Sequence, residues 1–324
     1  MALPIAAIIG GLILLTWSAD RFVFGASAFA RGVGVSPLVI GLTIVAFGTS
    51  SPEIVVSVLA SLQGNPGLAV GNAIGSNIAN IALVLGAAAL VAPLAIGHGM
   101  VRRELPILLL VSFGVLLLLA NGELGRLEGA ALLAGLTALT AWMAFSASRA
   151  PPPGDDTPAV VRGMIETIPD TPRTGSAVAW LVLGLLFLLA SSQMLVWGAV
   201  EIAAHLGVSD LIIGLTVVAI GTSLPELATS VVAAFRREAG LAIGNVVGSN
   251  LFNLLAVLAV PALIAPLAID AEVLTRDYPV MLALTVVLFL IALGRRGQVL
   301  RWQGALLLTA FAGYLVHLGI TATA

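Results

Sequence analysis

Two glutamates, Glu53 and Glu226, close the heptads FGTSSPE (47–53) and IGTSLPE (220–226), each inside a long apolar run. An ionised side chain within a bilayer costs at least about 2.5 kcal/mol and normally marks a transport pathway or a ligand site. No arginine stands within the apolar runs around them, so neither acid has a basic partner close by in sequence. Thr49 precedes Glu53 by four residues and Thr222 precedes Glu226 by four, which puts each pair on one helix face, with Ser50 and Ser223 adjoining. Pro52 and Pro225 each lack an N–H and crowd the carbonyl four residues earlier, at Gly48 and Gly221, so each helix is expected to break there. Carbonyls freed around Ala46 to Gly48 and Ala219 to Gly221 cannot face lipid unsatisfied and must line protein or a polar cavity.

A second doubled motif follows, GNAIGSNIAN (71–80) and GNVVGSNLFN (244–253). Asn72, Ser76 and Asn80 recur every four residues and form one polar stripe, as do Asn245, Ser249 and Asn253. Gly71, Gly75, Gly244 and Gly248 remove side-chain bulk, and close helix packing is their expected role. The inventory is all oxygen: two carboxylates, four hydroxyls, the amides of Asn80 and Asn253, and backbone carbonyls. Soft metals would require Cys, Met or His, which these segments lack. Calcium accepts six to eight oxygens in flexible arrangements, and two carboxylates cancel one divalent charge. Sodium suits the same hydroxyls and carbonyls, and protons could use the carboxylates alone.

These motifs need a membrane scaffold. The chain has 324 residues, 60% hydrophobic and 9% charged, with mean hydropathy +1.13 and no cysteine, against about 25% charged residues in soluble domains. Disulfides and thiolate metal sites are therefore excluded, and a net charge of −2 gives no footing for a nucleic-acid partner. Polar breaks divide the chain into ten expected spans, beginning near Leu3, Pro37, Gly67, Glu104, Leu127, Ala177, Leu211, Gly240, Pro279 and Trp302. The first run has no basic residue before it and no small-residue cleavage pattern, and is read as a helix rather than a signal peptide.

Residues 41–85 align without a gap to 214–258, with 24 identities in 45 positions. Such self-similarity marks a duplication. Five spans per half is odd, so the second copy enters the membrane from the opposite side, the inverted-repeat plan of secondary transporters, with the substrate site near the midplane. The expected fold is an all-α integral membrane protein of ten transmembrane helices. A first five-helix repeat occupies 1–148, a proline-rich linker 149–176, and a second, inverted repeat 177–324. All 14 basic residues are Arg. With the N-terminus outside, 11 of them fall in cytoplasmic loops and only Arg126 and Arg276 in external ones. Positive charge stays on the cytoplasmic side, so the linker is expected inside and both termini outside a plasma (inner) membrane.

The paired GTSSPE with GNAIGSNIAN and GTSLPE with GNVVGSNLFN resemble the alpha repeats of the cation/calcium exchanger superfamily. The resemblance spans the whole ten-helix plan and implies a sodium/calcium-exchanger-like fold. It implies that Glu53 and Glu226 ligate calcium with Thr49, Thr222 and the carbonyls of Ala46 and Ala219, and that Ser50, Ser223, Ser76 and Ser249 complete flanking sodium sites. Asn80 and Asn253 stand with this set. Sliding of the first and sixth helices would then exchange the ions. Potassium-dependent relatives place Asp where this chain has Asn253, which argues against potassium co-transport. The linker lacks anything like the large calcium-sensing domains of animal exchangers.

The expected activity is antiport of calcium for sodium, with proton/calcium antiport as the alternative. No cofactor is called for, the substrates and the lipid bilayer are the only partners expected, and a monomer is the expected state. A channel fits inverted repeats poorly. An enzyme would need a nucleophile–base pair, and no His or Lys accompanies the buried hydroxyls. Asp20 is expected to form an interfacial pair beside Arg21, Glu201 to be a solvated helix end, and His98, His205 and His317 to play no metal role.

Overall fold

Apolar runs of this length can satisfy their backbone groups in lipid only as helices, and the described residues of the computed structural model are helical apart from four two-residue strands and short turns. It describes residues 2–148, 174–206, 219–294 and 297–323. Helix α1 spans Ala2–Gly32 and α2 Pro37–Thr49; α3 (Ser51–Leu62) continues α2 after a bend of 41°. Then come α4 (Pro66–Val91), α5 (Glu104–Leu119), α6 (Arg126–Ser148) and α7 (Thr174–His205). The second half holds α8 (Ala219–Thr222), α9 (Leu224–Phe235), α10 (Ala239–Ile264), α11 (Val273–Leu293) and α12 (Arg301–Thr323). Six of the described helices are long and apolar enough to cross a membrane, or seven if α2 and α3 count as one bent span. The chain is a multi-pass helical membrane protein. Residues 211–218 of the expected span from Leu211, and nearly all of the linker, lie outside the described residues.

Burial sorts the helices into a centre and a rim. The apolar windows of α4 and α10 are 72% and 83% buried, against 28% for α1 and α7 and 17% for α12. Leu3, Ile13, Leu110, Leu117, Leu186 and Ile320 on the rim are exposed and suit lipid contact. At the centre, α3 packs on α4 and on the Asn253–Val257 turn of α10, while α9 packs on α10 and on the Asn80–Leu85 turn of α4. Each acid-bearing helix thus rests on the polar helix of both halves.

Helices α1 and α7 run antiparallel along their length, for Gly11 meets Leu195 and Gly25 meets Leu181, while Gly184 meets Phe22 and Gly198 meets Pro4. A Cβ at Gly25 would lie 2.9 Å from the Ala177 carbonyl, and one at Gly198 would lie 2.8 Å from that of Pro4. Only glycine admits such approach. The four contact glycines are two repeat-related pairs, at the same offset of 173 that aligns the motifs.

Short strands tie the ends. Strand β1 (Leu94–Ala95) pairs antiparallel with β4 (Gln298–Val299), and β2 (Glu123–Leu124) with β3 (Leu267–Ala268). The duplicated APLAI segments (92–96 and 265–269) contribute β1 and β3, and each pairs with a strand from the other half. One sequence expectation is corrected here: Asp20 pairs with Arg236 rather than with Arg21, its Oδ1 accepting from Nε at 2.7 Å. Neighbours in a helix point about 100° apart, and the Arg21 guanidinium lies over Trp180, 5.1 Å from the ring centroid. Together with Arg31–Glu238 at 3.2 Å, the Asp20 pair joins α1 to the turn between α9 and α10.

Candidate ion-binding site

The doubled prolines break their helices two residues before the ring. Ser50 (φ −82, ψ 3) separates α2 from α3, and Ser223 (φ −88, ψ 5) separates α8 from α9. The carbonyl that Pro52 leaves without its helical partner, at Gly48, accepts from the Ser51 hydroxyl at 2.7 Å. In the second half the residue matching Ser51 is Leu224, which has no hydroxyl, and the Gly221 carbonyl accepts instead from Ser192 of α7 at 3.0 Å. The position matching Ser192 in α1 is Ala19. One serine per break is used, supplied locally in one half and from a neighbouring helix in the other. The Ala46 carbonyl keeps its helical bond from Ser50 N–H at 2.9 Å, with a longer approach from the Thr49 hydroxyl at 3.4 Å. Ala219 begins α8.

The breaks bring the two halves together side chain to side chain. Glu53 and Glu226 are each 1% exposed and near enough to repel one another. The Ser50 hydroxyl donates to Glu226 Oε1 at 3.0 Å, and Ser249 approaches the same oxygen at 3.5 Å. The Ser223 hydroxyl is buried and makes no hydrogen bond among the described residues. Thr49 donates to Asn245 Oδ1 at 3.1 Å, and Asn245 Nδ2 turns to Ser230 at 2.9 Å and the Glu226 carbonyl at 3.4 Å. Asn72 repeats this brace in the first half, donating to Ser57 at 2.9 Å and the Glu53 carbonyl at 3.0 Å. The sequence groups Asn72 and Asn245 with the polar stripes; in the structure they fix the acid-bearing backbone.

Four buried acceptors in this set have no hydrogen-bond donor: Oε2 of Glu53, Oε2 of Glu226, and Oδ1 of Asn80 and of Asn253. A buried polar atom without a partner costs about 1–3 kcal/mol, more when charged. No Arg lies within α2, α3, α4, α8, α9 or α10 to supply a donor. Carboxylate and amide oxygens left without a donor are the kind of atom a hard cation takes as ligands. Among the described residues no three His, Cys, Asp or Glu side chains converge, so further ligands of an ion bound here would be neutral oxygens, which suits an ion that must also leave. Asn80 and Asn253 each begin a π turn, Asn80–Leu85 and Asn253–Val257. Such turns occur often at functional sites.

The glycine packing expectation holds at Gly244 and Gly248. A Cβ at Gly244 would meet the Leu38 carbonyl at 2.6 Å, and one at Gly248 the Leu42 carbonyl at 2.6 Å, so α10 packs on α2 backbone to backbone. Among the described residues nothing lies within 4 Å of a Cβ at Gly71 or Gly75, and the residues matching Leu38 and Leu42, at 211 and 215, lie outside them. Both glycines line a cavity of about 710 Å³, with Asn72, Ser76, Thr222 and Asp277. One face of the site thus borders a cavity, while α10 packs closely on α2 at the repeat-related face.

The chain has counterparts among known proteins. The family described as sodium/calcium exchanger protein matches residues 3–145 and 176–319. CaxA of Alkalimonas amylolytica is 52% identical over 306 residues, covering 94% of this chain and 95% of its own. Inner membrane protein YrbG of Escherichia coli is 42% identical over 321 residues, covering 98% of this chain and 97% of its own. Among solved structures, the sodium-calcium exchanger NCX_Mj soaked with 2.5 mM Na+ and 1 mM Sr2+ superposes with a TM-score of 0.83 at 34% identity, over 97% of this chain and 98% of that one.

Proposed function

The chain belongs to the sodium/calcium exchanger protein family, and we propose that it is a secondary antiporter that exchanges calcium for sodium by alternating access. Its ten helices form two inverted five-helix repeats, 1–148 and 177–324, and the substrate site lies between them near the membrane midplane. Calcium is held by Glu53 and Glu226 with Thr49, Thr222 and the carbonyls of Ala46 and Ala219. Sodium takes flanking places at Ser50, Ser223, Ser76 and Ser249 with the same acids, and Asn80 and Asn253 contribute amide oxygens. The observation that carries this reading is the set of four donor-less buried acceptors.

Two carboxylates balance one calcium, and their mutual repulsion opposes an empty site. Sodium ions restore that balance when calcium leaves, which couples the two fluxes. The antiparallel glycine contacts of α1 and α7 suit a pair that moves as one against the central helices. In the orientation favoured by the arginines, with both ends external and the linker cytoplasmic, the cavity at Gly71 and Gly75 opens outward. The test is calcium uptake by proteoliposomes loaded with sodium and diluted into sodium-free buffer at equal pH on both sides. Uptake driven by sodium supports the reading. Uptake driven only by an imposed pH gradient replaces sodium with protons as the coupling ion.

A further inference from the structure

The amide of Asn253 is one end of a buried relay. Its Nδ2 donates to Asn77 Oδ1 at 3.1 Å, and Asn77 Nδ2 donates in turn to Met281 Sδ at 3.4 Å. All three side chains are 1% exposed. A thioether sulfur accepts hydrogen bonds and never donates them, whereas an amide can present either end. Met281 thus sets the direction of the chain. Asn77 must turn its NH2 to the sulfur, which leaves its oxygen for Asn253; Asn253 must then donate, and its own oxygen is left without a partner. That oxygen belongs to the polar stripe of Ser249, which reaches Glu226. In the reversed relay, Asn77 oxygen would face sulfur lone pairs and Asn253 would present an NH2 to a cation.

We propose that Met281 and Asn77 are positioning residues that hold Asn253 with its carbonyl oxygen, not its amide nitrogen, toward the transported ion. The inference rests on the reading of Asn253 as an ion ligand. Met281 lies on α11, outside the central helices and their motifs, and the residue that matches it in the first half is Leu108, which offers no acceptor. The device is therefore built into one half of the site.

Met281→Leu preserves volume and removes the acceptor. Calcium KM is measured in proteoliposomes for this variant in three backgrounds, with thermal unfolding in detergent as the check on folding. In the wild-type background KM should rise about two- to tenfold, the factor one net hydrogen bond is worth, with the melting temperature held. With Asn253→Ala the same change should leave KM unaltered, because no amide remains to be oriented. With Asn253→Asp it should lower KM, since a carboxylate cannot donate to Asn77 and gains when Asn77 is free to turn its NH2 round. Met281→Ile, a second apolar variant, should give the same pattern. An equal KM factor in all three backgrounds, or none in the wild type while Asn253→Ala itself raises KM, overturns the relay. If Asn253→Ala leaves KM unchanged, the ligand role of Asn253 fails first.

Discussion

Adding one methyl group to Gly75 and to its repeat mate Gly248 should produce opposite kinds of damage. At Gly248 the new Cβ would lie 2.6 Å from the Leu42 carbonyl, 2.7 Å from Ala46 Cβ and 2.8 Å from Leu42 Cα. Carbon contacts are comfortable at about 3.5–4.0 Å, so α2 and α10 would have to separate by roughly 1 Å. Overpacking of this kind costs about 1–3 kcal/mol, and Gly248→Ala should unfold at lower temperature. At Gly75 nothing among the described residues, Ala219 included, lies within 4 Å of the added carbon. Alanine in a helix interior is favoured over glycine by about 0.5–1 kcal/mol, so Gly75→Ala should be as stable as wild type or more so.

Under the proposed alternating access the two halves exchange environments. In the opposite state Gly75 should take the packing that Gly248 has here, against the residues matching Leu42 and Ala46, namely Leu215, which lies outside the described residues, and Ala219. The same 1–3 kcal/mol then falls on one state only, which shifts the equilibrium between them about 5- to 150-fold. Exchange should slow by about that factor in a fully folded protein. The assay pairs thermal unfolding with calcium exchange in proteoliposomes. Wild-type exchange by Gly75→Ala, or undiminished stability of Gly248→Ala, would refute the reasoning.

Ser192→Ala should lower stability by about 1–3 kcal/mol, because it strips the buried Gly221 carbonyl of the hydroxyl that compensates for Pro225. Leu224→Ser, which copies Ser51 of the first half, should recover most of that loss, and denaturation of the double variant checks it; no recovery would show that the two serines are not equivalent. Topology can be read by single-cysteine labelling in a chain that has no cysteine. A cysteine at Asp155 should react only from the cytoplasmic side and one near either terminus only from outside, and the reverse pattern would invert the proposed orientation.

Much of this architecture was legible because membrane helices announce themselves by length and by the polar breaks between them. Eight expected starts, from Leu3 to Trp302, fall within three residues of a helix start in the structure. At Pro279 the π turn Val273–Asp277 begins the helix earlier, since an i→i+5 bond has no local composition signal. The π turns at Asn80 and Asn253 were hidden for the same reason. Proline chemistry located both helix breaks and the carbonyls they free, but not the hydroxyls that take them up. Ser51 is next to its break, whereas Ser192 precedes Gly221 by 29 residues and reaches it only through packing of α7. The signal was present in the repeat alignment, where Ser51 and Ala19 in one half stand against Leu224 and Ser192 in the other. Likewise, Asp20 paired with Arg236 and Asn77 with Met281 over more than 200 residues. Gly71 and Gly75 line a cavity while Gly244 and Gly248 are packed, and two motifs with the same glycine spacing do not say which copy does which.

The central claim is that Glu53 and Glu226 together balance the charge of a bound calcium ion. Its most direct test is calcium binding and flux by purified Glu53→Gln and Glu226→Gln, each first checked for a folded, monodisperse state. Glutamine keeps the size and one carbonyl oxygen of each acid, so it removes charge while filling the same space. Stability should hold or rise, because the two acids repel one another in a low-dielectric site when no cation is bound. Calcium binding and exchange should be lost in each variant. Folded Glu53→Gln and Glu226→Gln proteins that both exchange calcium at near wild-type rates would contradict the account.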